Sequence, residues 1–121
     1  MIGNALLRTK NIRTVVNKSS TIDNTFRNFS MELLAGEKEF IVSVKESGCV
    51  FNFDFSLVYW NPRLSTEHER IIKMLGSRSV LFDACAGVGP FTVPTGKVCR
   101  VFSNDLNPES FKWLVENVRT N

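Results

Sequence analysis

The sequence predicts an α/β fold: the first two parallel strands and helices of a Rossmann-like sheet, preceded by a small β-rich unit. Three observations carry this prediction. Apolar Ser79-Val-Leu-Phe82 reads as a buried strand that ends on Asp83 and runs into a turn holding Gly87 and Gly89. A second short strand, Arg100-Val-Phe-Ser103, delivers another acid, Asp105, 22 residues after the first. Upstream, Phe40-Ile-Val-Ser-Val44 and Val50-Phe-Asn-Phe-Asp-Phe55 are rich in β-branched and aromatic residues, and the second alternates strictly about Asn52 and Asp54.

In chain order, Ile12-Arg-Thr-Val-Val16 reads as a strand and Asn17-Lys-Ser-Ser-Thr21 as a polar loop. Phe26, Phe29 and Leu33 or Leu34 follow, before a turn at Ala35-Gly36-Glu37. The strands flanking Glu46-Ser-Gly48 form a hairpin with one buried face. Val58-Tyr-Trp-Asn-Pro-Arg-Leu64 is a connecting segment dense in aromatic, amide and guanidinium groups. Ser65 or Thr66 caps a helix; Thr66 and Glu69 have capping-box spacing, Ile71, Ile72 and Leu75 form its inner stripe, and Gly76 ends it. After Phe91 the crossover is interrupted by Pro94 and Gly96. Asn107 caps the last helix, Pro108 takes its first position, and Phe111, Leu114, Val115 and Val118 supply the apolar stripe, with Trp113 off it on the exposed side. The division this implies is a β-rich subdomain over residues 1–60 and the N-terminal half of a Rossmann-like domain over 61–121. Only two parallel strands are readable where such sheets hold about five or more, as expected of a truncated domain.

At 121 residues and 43% apolar content, the chain suits a single average domain with a real core. It lacks any run near the ~20 apolar residues that cross a bilayer, so no membrane partner is expected. Cys49, Cys85 and Cys99 have no metal-ligand spacing, and their odd number argues against a disulfide framework; a reducing compartment and no metal site are expected. The net charge is +3, and Arg8, Lys10, Arg13 and Lys18 all precede the first acid, Asp23. That excess suits either a polyanionic partner such as RNA or a solvated basic surface.

An acid about 20 residues beyond a glycine turn is where dinucleotide-type folds hold ribose hydroxyls. A pyrophosphate cradle also needs G-x-G-x-x-G opening directly into a helix, so that bare N–H groups face the phosphates. Here the turn runs Gly87-Val-Gly-Pro90-Phe, and Pro90 removes one of those donors. S-adenosyl-L-methionine (AdoMet), which has a ribose and an adenine but no phosphate, therefore fits better than a nicotinamide dinucleotide. A glycine turn with no ligand is the alternative these residues leave open.

From about Ile12 to Asn121 the sequence resembles the Trm5-type tRNA (guanine-37-N1)-methyltransferases, a class I AdoMet-dependent family. The resemblance rests on Thr14-Val-Val-Asn-Lys18, Ile22-Asp-Asn-Thr-Phe-Arg-Asn-Phe29, Glu32-Leu-Leu-Ala-Gly36, Val58-Tyr-Trp-Asn61, Thr66-Glu-His-Glu-Arg70, Asp83 to Phe91, and Asn104-Asp-Leu-Asn-Pro108. It implies a partial class I methyltransferase fold and methyl transfer from AdoMet to N1 of guanosine 37 in the tRNA anticodon stem-loop, by a monomer. It further implies Glu67 as general base and Arg27 as partner of the guanine O6, with Tyr59 nearby. Asp105 would bind the ribose, Leu106 would pack near the adenine, His68 and Asp83 would lie beside the cofactor, and Gly87 and Gly89 would leave room for its methionine end. Family members work in cytoplasm, nucleus and mitochondria. They are longer, with an RNA-binding domain before this region and the remaining strands, bearing an Asn-Pro-Pro motif, after it. The alternative is a non-catalytic remnant or isoform fragment that at most binds AdoMet or tRNA.

Methylating guanine N1 needs a base for the N1 proton and a cation for charge growing on O6. Glu67 carries a tension in that role. In the first turn of a helix the dipole stabilises its carboxylate and weakens it as a base, and burial beside substrate is needed to raise it again.

Overall fold

A computed structural model describes residues 2–22, 26 and 29–121. In chain order the elements are α1 (Ile2–Leu6), β1 (Thr14–Ile22), β2 (Phe29–Gly36), β3 (Ile41–Glu46), β4 (Cys49–Asp54), α2 (Ser65–Met74), β5 (Val80–Asp83), α3 (Thr92–Thr95), β6 (Arg100–Ser103) and α4 (Pro108–Thr120). The strands pair as three separate sheets: β1 with β2 and β3 with β4 antiparallel, β5 with β6 parallel.

The first ribbon corrects the reading of Asn17–Thr21 as a loop. Those residues continue β1, with Asn17 opposite Glu32 and Lys18 opposite Met31. A ladder needs only backbone groups, so polar residues persist in a strand whose outer side meets water. The short α1, which the sequence pattern did not announce, rests on β2 with Gly3 buried beside Leu34 and Ala35.

The hairpin follows its alternation. Cys49, Phe51 and Phe53 are buried on one face of β4, while Val50 is exposed on the other. Phe51 and Phe53 pack on Trp60, with ring centroids 5.5 and 5.0 Å away, and the same core takes in Val58, Val88 and Val93. The hairpin, the connecting segment and the glycine turn thus share one core.

The parallel pair runs in register from Val80 opposite Arg100 to Asp83 opposite Ser103. Leu81 and Val101 are half-buried on one face, whereas Val80, Phe82 and Phe102 on the other are exposed. The β3–β4 hairpin does not extend this sheet. Its β4 edge meets α4 instead, and side-chain amides make the join. Asn117 accepts from the Asn52 N–H (2.8 Å) and donates to the Asn52 carbonyl (3.2 Å) and the Val88 carbonyl (3.0 Å). One turn on, Asn121 treats Val50 alike, accepting at 2.8 Å and donating at 2.7 Å. Two asparagines at i and i+4 therefore stand in for a neighbouring strand.

This join corrects the expected face of α4. Ser110, Leu114 and Asn117 are its buried residues, while Phe111 and Val118 from the anticipated stripe are exposed. Trp113, expected outside, packs partly against the core, and its buried indole N–H has no hydrogen-bond partner among the described residues. Asn107 does cap α4, accepting from the Glu109 N–H at 3.1 Å. At α2 the capping box does not form. A 3-10 turn over Pro62–Leu64, capped by Asn61, leads straight into the helix, and Glu69 pairs with Lys73.

Replacing Asn117 by Leu strands three backbone groups together, the buried Val88 carbonyl and the part-buried N–H and carbonyl of Asn52, at a cost of about 2–4 kcal/mol. Urea unfolding followed by Trp60 fluorescence measures it; a loss below about 1 kcal/mol would mean that water replaces the amide without penalty.

Candidate cofactor pocket

The two parallel strands end side by side because backbone pairing continues past them. Asn104 N–H donates to the Asp83 carbonyl and Ala86 N–H to the Asn104 carbonyl, each at 2.9 Å. Both strand-end acids are thereby brought to one place. Thr92 Oγ1 donates to Asp83 Oδ2 at 2.7 Å. Burial raises the Asp83 carboxyl above its ordinary value; the Thr92 hydrogen bond opposes this and the nearby Asp105 charge adds to it.

Asp105 is fixed at both oxygens. Oδ2 accepts from the Gly87 N–H at 2.7 Å and Oδ1 from the Asn107 N–H at 2.9 Å. Each carboxylate oxygen has two lone pairs, so each retains capacity to accept from one hydroxyl of a vicinal diol. A pocket of about 250 Å³ opens here, lined by Phe26, Tyr59, Cys85, Gly87, Asp105, Leu106, Asn107 and Ser110. Leu106 is 76% exposed and offers an apolar wall for a planar ring. A second hollow, about 330 Å³ between α3, β6 and α4, shares no residue with it.

The two turn glycines have different duties. Gly87 has φ +56°, and a Cβ built on it meets nothing within 4 Å, so its missing side chain leaves space open beside Asp105. Gly89, at φ +97°, is buried, and a Cβ there would lie 2.8 Å from Leu114 and 2.9 Å from Val93. Its requirement comes from helix packing behind the turn.

Of the residues expected in the site, Tyr59, Gly87, Asp105 and Leu106 line one pocket, and Asp83 stands next to Asp105. His68 does not line it. It is buried in α2, with Nδ1 2.5 Å from Glu46 Oε1 and its ring edge-on to Phe91 at 4.9 Å, so it pins α2 to the hairpin and the glycine turn. Glu67 is exposed, held by Arg70 through a two-point contact at 2.7 and 2.8 Å. That hydrogen bond holds its carboxyl below the ordinary value, with a smaller opposing effect of desolvation. Arg27 lies outside the described residues. Sequence reasoning missed Asn107 as a pocket residue and Cys85 as an exposed thiol on its wall; nothing in the spacing separates Asn107 from an ordinary helix cap. Among the described residues no cluster of His, Cys, Asp or Glu suits a metal ion, and no helix is long and apolar enough to cross a membrane.

The family model described as the TRM5/TYW2 methyltransferase domain matches residues 42–121, and a TYW2 N-terminal domain model matches residues 1–39. A tRNA (guanine(37)-N(1))-methyltransferase of Drosophila melanogaster is 62% identical over 112 residues, covering 92% of this chain and 24% of that protein. Among solved structures, aTrm5 in complex with tRNALeu superposes with a TM-score of 0.90 at 31% identity, covering 98% of this chain and 35% of that one. TYW2 of M. jannaschii in complex with AdoMet gives 0.67 at 30% identity, over 74% and 42%. The chain spans about a quarter of the length of the curated relatives it matches.

The raised Asp83 carboxyl sets the sign of a pH effect. The folded chain binds that proton more tightly than the unfolded one, so stability falls as pH rises from the ordinary aspartate value, about 3.9, through the higher folded value. Asp83→Asn keeps an acceptor for Thr92 and removes the charge. It is expected to raise the thermal midpoint at pH 7, with the gain vanishing below about pH 3.9. Scanning calorimetry at both pH values checks this; destabilisation at pH 7 would show that the charge is needed by the fold.

Proposed function

The chain belongs to the TRM5/TYW2 methyltransferase family, and from that premise we propose that it is the AdoMet-binding part of a tRNA (guanine-37-N1)-methyltransferase, acting as a monomer on the anticodon stem-loop. The observation that carries this reading is the Asp105 carboxylate, anchored at both oxygens yet open to a pocket with an apolar wall, beside a second acid. A diol acceptor, an exposed Leu106 and no phosphate cradle suit a nucleoside. Two neighbouring carboxylates suit one that also carries positive charge. AdoMet satisfies both requirements, and its sulfonium makes the attached methyl electrophilic.

The chain's own residues then hold and orient. Asp105 accepts from the ribose hydroxyls, Leu106 packs near the adenine, Tyr59, which the resemblance puts near the guanine, stands on the wall of this same pocket, and Asp83 with the space beside Gly87 receives the cationic end. His68 sets α2 against the hairpin and the glycine turn. Glu67 is the base for the guanine N1 proton and Arg27 the partner of O6. With Arg70 on both its oxygens, Glu67 is a weak base, so its work requires substrate to displace that guanidinium.

Titrating AdoMet into the chain by calorimetry tests the cofactor assignment. One-to-one binding is expected, with Asp105→Ala weakening it at least about tenfold through loss of charge-assisted hydrogen bonds. Unchanged affinity in Asp105→Ala would sink the ribose placement. Binding by the chain without methyl transfer to a G37 tRNA would mark it as a cofactor-binding segment whose turnover needs more of the protein.

The base assignment carries its own pH signature. Arg70→Ala removes the interaction that holds the Glu67 carboxyl low, so the acid limb of the methyl-transfer profile is expected to move to higher pH, toward the ordinary glutamate value of about 4.3 or above. Single-turnover rates with G37 tRNA measure it. A limb unmoved in Arg70→Ala would remove Glu67 from the proton transfer.

A further inference from the structure

We propose that Asn107 is a positioning residue, tying the acid-bearing wall of the pocket to the segment that carries Tyr59. Its side chain is buried and used at both ends. Oδ1 accepts from the Glu109 N–H at 3.1 Å, capping α4, and Nδ2 donates to the Leu57 carbonyl at 2.9 Å, fifty residues earlier in the chain. Its backbone N–H holds Asp105 Oδ1 at 2.9 Å. One residue therefore touches the carboxylate, the helix and the opposite strand-end segment.

The residue type supports a role beyond capping. Ser, Thr and Asp cap helices about as well as Asn, yet Asn alone among them carries an acceptor and a donor on separate atoms. The donor is what reaches Leu57. That carbonyl is itself fixed, because the Leu57 N–H donates to the Asp54 carbonyl at 3.1 Å and Asp54 Oδ1 accepts from both the N–H and the hydroxyl of Ser56. Val58 is then buried in the hairpin core, and Tyr59 emerges, half exposed, into the pocket. The Nδ2 bond thus sets how far Tyr59 stands from Asp105. Its consequence for ligand affinity rests on the AdoMet reading above; the tie between the two walls does not.

Asn107→Ser keeps the cap and the backbone bond to Asp105 and loses only the donor. In amide hydrogen exchange of the free chain, residues 57–60 and 104–107 are expected to exchange faster together while 108–120 stay protected. Unchanged exchange, or loss of protection confined to α4, would overturn the tie. For AdoMet, Asn107→Ser and Tyr59→Ala are each expected to weaken binding about five- to tenfold, and the double variant no more than the weaker single, since they act through one contact. Additive losses would overturn the coupling. Asn107→Asp, which also caps but cannot donate when ionised, repeats both measurements if the serine variant does not fold. A wild-type chain that binds no AdoMet would overturn the cofactor reading, leaving exchange to decide the tie.

Discussion

A strand edge buried against a helix must find partners for its outward N–H and C=O groups, since each one left bare costs about 1–3 kcal/mol. β4 has such an edge at Asn52, running on to the more exposed Val50, and the parallel strands are not its neighbours. Asn117 and Asn121 meet this demand with amides that donate and accept like a peptide unit. Their spacing on α4 matches two residues along the strand, so helix and hairpin hold one relative register. The aromatic face of the hairpin then lies over Val88 and Val93, which puts a packed core behind the glycine turn.

That backing explains how so short a turn keeps its shape. α3 has only four residues, with Pro94 in its single turn and Gly96 at its C-cap. Rigidity comes from its surroundings: Gly89 against Leu114 and Val93, Thr92 bonded to Asp83, and Phe91 against the buried His68. Asp105 is held from two sides by the backbone N–H groups of Gly87 and Asn107. A carboxylate already oriented loses little freedom on binding, and preorganisation of this kind lowers the cost of association.

Much of this was legible in the sequence. Period-two alternation announced β4, the two glycine-and-acid strand ends announced the pocket, and Asn107-Pro108 announced the start of α4. Where periodicity misled, a polar group had taken an apolar group's place. Asn117 faces inward because its partners are backbone groups 65 residues away, which no helical wheel displays. Asn17–Thr21 belong to a strand because β2 pairs Asn17 and Lys18 and, beyond an irregularity, Ile22. The Thr66–Glu69 spacing suited a cap, but Asn61 and Pro62 had already begun a tighter turn. His68 carried a motif likeness to a cofactor contact, and its geometry is that of a buried pair with Glu46.

The two acids nearest the proposed chemistry are set in opposite directions by their neighbours. Burial and a like charge make Asp83 reluctant to ionise, while a guanidinium keeps Glu67 ionised in solvent. A cation entering beside Asp83 relieves a cost already present in the fold, so part of its binding energy comes from charge the protein holds at a penalty. In the proposed role Glu67 would need the reverse change, because a base is strengthened by losing its cation and its water. In the role proposed for it, Glu67 gains strength as a base only where substrate takes the place of Arg70.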